Sequence, residues 1–335
     1  MKPSPLHALT AFGILFLQQP ATADDSPRVD VKVYDKSIEF RSGPELVARY
    51  HFGADAAKPY VWPIHAPGNR ALTRSWPMEK ALPGGSIDHV HQKSAWFCHG
   101  DVIPEGIEPR QKVKGVEGID FWSEGRGHGR IVCTQVGEQR REKNRVRIDT
   151  HNEWRSAEGT KILDEDRVIQ LVDCGDARLF IFDIDLCASA VPITFGDTKE
   201  GSFGVRINDQ IREQTRNGKI ENADGKVGER NCWGQLSAWC DYSGMIDGAT
   251  VGLAILDDPG NPYRACWHSR AYGLMAANPF GRTRSGFPAM KGRTDLVKLA
   301  KGEHLKLRYG LLIHPGDAKE GKVAAYYDRF VKMRE

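Results

Sequence analysis

HLKLRYGLLIHP, residues His304–Pro315, decides the class of the fold. Leu305, Leu307, Tyr309 and Leu311 stand at every second position, with Lys306 and Arg308 between them. Successive side chains of a strand point to opposite faces, so this spacing gives one apolar face and one charged one. RVDVKVYD (28–35) repeats the pattern with Val29, Val31 and Val33. SIEFRSGPELVARYHF (37–52) reads as two short strands around a Ser-Gly-Pro turn. RVRIDTHNEW, DRVIQLVD, ARLFIFDIDL and TVGLAILD continue the theme, and 35 glycines and 18 prolines supply the turns between them. Only AKEGKVAAYYDRFVKMR (318–334) departs, with Val323, Tyr327, Phe330 and Val331 at helical spacing. The expectation is a mainly β protein: one large antiparallel β-sandwich with a C-terminal helix on it.

The N-terminus carries Lys2, an apolar run Ala8–Leu17 and the small-residue pattern Ala21-Thr22-Ala23. This is the layout of a signal peptide over 1–23, leaving a single domain over 24–335 that is periplasmic or secreted. The run is too short to span a bilayer and no later stretch approaches the length needed, so no membrane span is expected after cleavage. The 47 Lys and Arg against 44 Asp and Glu are dispersed, and the most basic stretch, QRREKNRVR (139–147), is interrupted by Glu142. That excludes nucleic acid as a partner. Seven cysteines without a CxxC motif argue against a thiolate zinc site and leave any disulfide pairing open.

Four segments could carry chemistry. DHVHQKSAWFCHGD (88–101) holds three of the 11 histidines and two aspartates. With His89 and His91 on a strand, their imidazoles would share a face. His99 or Asp101 could complete a set for one divalent metal, or the same groups could do acid/base work. Packed structural histidines are the third alternative. FGDTKEGSFGVR (195–206) would present Glu200 and Arg206 from a glycine-rich loop, and it lacks the phosphate-binding P-loop pattern. CWGQLSAWCDYSG (232–244) offers Trp233, Trp239 and Asp241, rings and polar groups that suit a sugar. DDPGNPYRACWHSRAYGLMAANPFG (257–281) contains Asn261, Trp267, His268, Arg270 and Asn278, a mixture suited to an anionic or polyhydroxyl ligand.

These four segments, with IDFW (119–122), resemble a family of exported bacterial proteins of unknown function that carries the label methane oxygenase PmoA (DUF6807-type). The resemblance covers nearly the whole mature chain. Many members read DHPHHRG where this chain has DHVHQKS, so Gln92 and Lys93 replace a histidine and an arginine. Methane oxidation does not fit: the methane monooxygenase subunit of that name spans the membrane several times, and this chain has a mean hydropathy of −0.48. In general character the chain also resembles the galactose-mutarotase-like supersandwich enzymes, which set a His and a carboxylate across a sugar ring.

The expected function is therefore an exported carbohydrate-active enzyme, a hydrolase, lyase or epimerase. Its small-molecule or oligosaccharide substrate would be a sugar or oxidised sugar. His89, His91 and His99 would form the acid/base or metal group and Glu200 or Asp241 the partner carboxylate. Asp88, Asp101, Arg206, Asn261, His268, Arg270 and Asn278 would bind substrate, and Trp96, Trp233, Trp239 and Trp267 would wall it. A non-catalytic carbohydrate-binding protein, or a metalloenzyme acting on another substrate, are the alternatives.

Overall fold

In the computed structural model, which describes Met1 and residues 28–333, the strands of the described residues form three sheets. The segment expected to be a signal peptide lies, apart from Met1, outside the described residues. One sheet has eight strands in the order Gly218–Asn222, Trp239–Ile246, Ala249–Asp257, His304–Pro315, Arg178–Cys187, Lys161–Asp173, Arg145–Arg155 and Arg130–Arg141. The second runs Val29–Tyr34, Ser37–Ser42, Glu45–His51, Tyr60–Ala66, Ala95–His99, Gly201–Arg206, Leu274–Asn278 and Cys266–Trp267, with Arg70–Ala71 beside Tyr60–Ala66. A small third sheet joins Val297–Leu299, Ile193–Phe195 and Val102–Pro104. The pairings are antiparallel throughout, as expected.

The two large sheets face each other across one apolar core. Leu305, Leu307, Tyr309, Leu311 and Ile313 all enter it, on the face the period-two spacing assigns. From the opposite sheet Phe203 stacks on Tyr309 at 5.4 Å, Phe97 meets Trp154 at 6.1 Å, and Phe40 meets Phe180 at 5.3 Å. Such ring pairs add directional attraction to area burial. The core also encloses one charged group of note: Glu165, 0% exposed, accepts from Arg167 Nε at 2.6 Å and from Trp154 Nε1 at 2.7 Å.

The other face of the eight-stranded sheet is apolar too. Leu179, Ile181 and Leu312 alternate out of the core and meet Val323 and Phe330 of the C-terminal helix Val323–Lys332. Ten residues are too few to hold a helix in water, so this packing is what keeps it formed. Burying Phe330 alone contributes about 2 kcal/mol. No helix of the described residues is long and apolar enough to cross a membrane. The seven cysteines are all free thiols.

The topology brings distant sequence together. Ala95–His99, Gly201–Arg206, Leu274–Asn278 and Cys266–Trp267 are consecutive neighbours in the second sheet. Three of the four chemistry-bearing segments therefore open into adjoining loops. The fourth does not, because Trp239–Ile246 belongs to the other sheet.

Candidate functional site

On strand Ala95–His99, Phe97 meets Trp154 across the sandwich, and its neighbour Trp96 packs, buried, against Trp122 at 5.0 Å. Above this pair lies a cavity of about 620 Å³. Its chemistry-bearing lining is His89, His91, Asp120, Trp122, His128, Lys199, Glu200, His268, Arg270 and Tyr272. The volume falls within the range of small-molecule sites.

His89 and His91 arrive on a loop and not on the expected strand. The chain is irregular from Gly85 to Ser94, and His89 takes a left-handed backbone with φ of 43°. Both line the same cavity, with the rings 5.7 Å apart and edge to face. His89 also stacks on Tyr272 at 5.2 Å, and its Nδ1 lies 3.1 Å from Asp88 Oδ2. Beneath the loop two buried guanidiniums act as a frame. Asp88 Oδ1 accepts from Arg74 Nη1 at 2.8 Å and Arg206 Nη2 at 2.9 Å. Arg74 also donates to the carbonyls of Asp88 and His89, and Arg206 to Gln92 Oε1. Burial pushes the Asp88 carboxyl up, but the Ser86 hydroxyl and the charges of Arg206 and Arg74 outweigh it and hold the group well below the usual carboxylate range. Arg206, expected to bind ligand, instead anchors the loop from below and packs 4.5 Å under the Tyr272 ring.

The site separates protonation states. Burial, reinforced by the charge of Lys58, pushes His91 down to about 3. Burial, with Arg270 and Lys199 nearby, does the same to His268, also about 3. Both imidazoles are neutral at pH 7. Glu200 moves the other way, because burial raises its affinity for a proton more than Lys199, 3.7 Å away, lowers it. His268 is 2% exposed and its buried Nδ1 has no partner among the described residues.

The loop 105–129 closes the other side. Asp101, buried and accepting from the backbone of Gly118 at 2.7 Å, ties this loop down and does not reach the cavity. Asp120 Oδ1 accepts from the Trp122 and Ser123 amides at 2.7 and 3.1 Å, and its Oδ2 lies 3.4 Å from His128 Nε2. Asn278 plays a matching role for Glu200: its side chain donates to Thr198 O at 2.9 Å and accepts from the Phe280 and Gly281 amides.

Several expected site residues lie elsewhere. His99 is fully buried, bonds Gly196 O at 2.8 Å and packs on Phe280, and burial takes it down to about 4. On a strand with every residue buried it points away from the loop histidines, so the trio His89, His91 and His99 is not assembled. Among the described residues no cluster of three or more His, Cys, Asp or Glu is placed to hold a metal ion. Asp241 is 0% exposed in the other sheet and pairs with His314 Nε2 at 2.8 Å. Asn261 ties its own turn to Asp257 and to the backbone of Arg308. The four expected stacking rings are structural: Trp96 and Trp267 lie in the core, Trp239 faces the C-terminal helix, and Trp233 packs on Phe287. Large rings in this sequence serve the sandwich first; Trp122, also in the core, and Tyr272 are the aromatic rings at the cavity.

The sequence reading assigned no role to Asp120, Trp122, His128, Lys199 or Tyr272. Asp120 and Trp122 stood in the IDFW segment, and Lys199 and Tyr272 inside quoted segments. His128 lies in GRGHGR, where nothing but the run of glycines marked it.

Among curated protein sequences, none matches the chain. Among solved structures, it is similar to an alpha-galactosidase from Lactobacillus brevis at 9% identity, over 87% of this chain and 40% of that one, with a TM-score of 0.43. It is also similar to a galactose 1-epimerase from Lactobacillus acidophilus at 7% identity, over 87% of this chain and 100% of that one, with a TM-score of 0.39. A galactose mutarotase-like protein from Lactobacillus casei gives 11% identity, over 85% and 100% of the two chains, with a TM-score of 0.37. A family of unknown function, DUF6807, matches residues 37–328, and the chain belongs to that family.

Proposed function

We propose that the cavity is the active site of an exported carbohydrate-active enzyme that moves a proton at a ring carbon or glycosidic oxygen of a sugar or oxidised sugar. The reaction class is hydrolysis, elimination or epimerisation, and the site of action is the periplasm or the cell exterior. The observation that carries this reading is the pairing, in one polar cavity, of a carboxyl with raised proton affinity, Glu200, and two imidazoles held neutral, His91 and His268. Titratable groups driven apart in this way are the signature of assigned acid and base roles.

Glu200 is the proton carrier. His91 and His268 are neutral hydrogen-bonding groups for hydroxyls, able to donate from one ring nitrogen and accept at the other. His89 and His128 each face a carboxylate, Asp88 and Asp120, which fixes the ring orientation. Lys199 and Arg270 are the cations for a keto or carboxylate oxygen, and Tyr272 offers a face for sugar C–H groups while the buried Trp122 forms part of the floor.

The test is turnover on a panel of reducing sugars, uronates and glycosides, followed by reaction-product NMR, with wild type and Glu200→Gln side by side. General acid/base groups contribute about 10²–10⁴-fold, so the variant should lose at least about a hundredfold in kcat while still binding. Full turnover by Glu200→Gln refutes the assignment. A wild type that binds saccharides but converts none is a binding protein, and the enzymatic reading falls.

A further inference from the structure

His128 is a wall shared by two cavities. On one side is the site above; on the other is an open cavity of about 470 Å³ lined by Ala57, Arg110, Gln111, the stretch Gly125–Arg130, Ala157 and Glu158. The shared wall exists because the glycine-rich loop can lie flat. Gly127 has φ of 82°, and a Cβ there would approach Gln111 O to 3.0 Å; a Cβ on Gly129 would come within 2.4 Å of the Phe121 ring. The Gly129 amide donates to Asp120 O at 2.9 Å, which pins the loop to the segment carrying Asp120 and Trp122. The two cavities therefore abut, with His128 between them.

The charge of the second compartment is one-sided. Arg110, Arg126 and Arg130 face it against the single carboxylate of Glu158. Arg130 is engaged, donating to the backbone of Ala54 and Ala56 at 2.6 and 2.8 Å. The guanidinium of Arg126 makes no hydrogen bond or ion pair with any described residue, and Arg110 meets Glu158 through its backbone amide at 3.3 Å. The Arg110 charge also acts on the Glu158 carboxylate, so the three arginines outnumber the one acid and the Arg126 fork stands open in this compartment. A planar guanidinium pairs best with an oxyanion of matching geometry, a carboxylate or sulfate, through two parallel hydrogen bonds.

We infer that the Arg110–Arg126 cavity is a subsite for an acidic sugar unit, so that the substrate is an anionic oligosaccharide whose charged residue lies here while the reacting unit occupies the His89–Glu200 compartment. This rests on the function proposed above for the first compartment. The anion could be a uronate carboxylate or a sulfate ester; the recognition chemistry is the same.

Calorimetric titration of the full-length protein at low salt tests it, with three trisaccharide probes: a trigalacturonate, a sulfated galactan trisaccharide and a neutral galactotriose. At least one anionic probe should bind about tenfold or more tighter than the neutral one, which corresponds to roughly 1.4 kcal/mol. The Arg110→Ala/Arg126→Ala double variant should erase that preference and leave the neutral affinity unchanged. The probe that binds better names the anion. Equal binding of all three, no binding of either anionic probe, or a preference that persists in the double variant overturns the subsite. Glu200→Gln separates the two readings. A variant that keeps the anionic preference while wild type shows no turnover leaves the subsite standing and removes the enzymatic reading. Turnover that is blind to the double substitution does the reverse.

Discussion

Replacing Asp88 with Asn takes one negative charge from between Arg74 and Arg206 and keeps the side-chain shape. The guanidiniums are 1% and 0% exposed, and both bond the same carboxylate oxygen, at 2.8 and 2.9 Å. Breaking a fully buried pair costs about 3–5 kcal/mol, because the surviving charge is stranded in a poor solvent. Asp88 itself is 43% exposed, so water already screens part of the attraction. The arginines also keep other acceptors, the carbonyls of Asp88, His89 and Gln92 and the amide of Gln92. The expected loss is therefore about 2 kcal/mol. A chain of this length unfolds with an entropy of about 0.6 kcal/mol per degree, so Tm should fall by about 3 °C. The sign with pH follows from a depressed folded-state pKa. Such a group stabilises above its unfolded value, near 3.9, and loses that contribution as pH falls through the folded one. The gap between wild type and Asp88→Asn should thus be full at pH 7 and pH 5 and shrink only below about pH 4. Urea unfolding followed by tryptophan fluorescence at each pH measures it. A gap under about 0.5 kcal/mol at pH 7, or one already closing between pH 7 and pH 5, refutes the role of Asp88 as counter-ion to the loop's frame.

Glu165→Gln should be more damaging than Asp88→Asn, about 3–5 kcal/mol, because Arg167 is 2% exposed and would be left charged in the core; equilibrium unfolding of the two variants ranks them. His91, His99 and His268 are each held neutral well below the ordinary imidazole value, so the unfolded chain takes up three protons that the folded chain does not. Stability contributed by these groups is full above the unfolded pKa near 6.5 and falls with acid, at about 4 kcal/mol per pH unit around pH 5. Substituting His268 with Asn should lower that slope by about one third, and an unchanged slope would show that His268 is charged in the fold.

The sandwich was legible because its strands bury one face or two, and burial writes a period of two into the sequence. His304–Pro315 shows it plainly: Leu305, Leu307, Tyr309 and Leu311 fell on the core side as read, and Leu312 on the helix side. The C-terminal helix was legible for the same reason. The site was legible only as segments. Which loops meet depends on strand order, and strand order is set by pairings more than a hundred residues apart, such as Phe203 opposite Phe97. That is why Asp241 and Asn261 were grouped with His89 although they lie on other surfaces. The histidines show a second limit. His89, His91 and His99 look alike in composition, but His99 sits on a strand buried on both faces while the other two ride a loop held by Arg74 and Arg206. Position on the fold, and not residue type or burial, divides the imidazoles here, since His268 is buried like His99 yet lines the cavity.

The electrostatics of the cavity bear on whether it reacts or only binds. A site that merely recognises neutral hydroxyls is served by amides and alcohols, which carry no pH-dependent penalty. This one keeps two imidazoles neutral against nearby cations and keeps Glu200 partly shielded from water, arrangements that cost stability as conditions change. Such a cost is expected where proton transfer needs groups of unlike affinity within reach of one ligand. With Glu200 as the proton donor, kcat should fall as pH rises through its raised pKa. The fall should be missing from the residual rate of Glu200→Gln, whose amide does not titrate. With Glu200 as the base, the same limb appears with the opposite slope, and kcat rises. A wild-type profile flat from pH 4 to pH 8 would mean that kcat depends on no group titrating in that range, and the assignment of Glu200 as a carboxyl with raised pKa carrying the proton would fail with it.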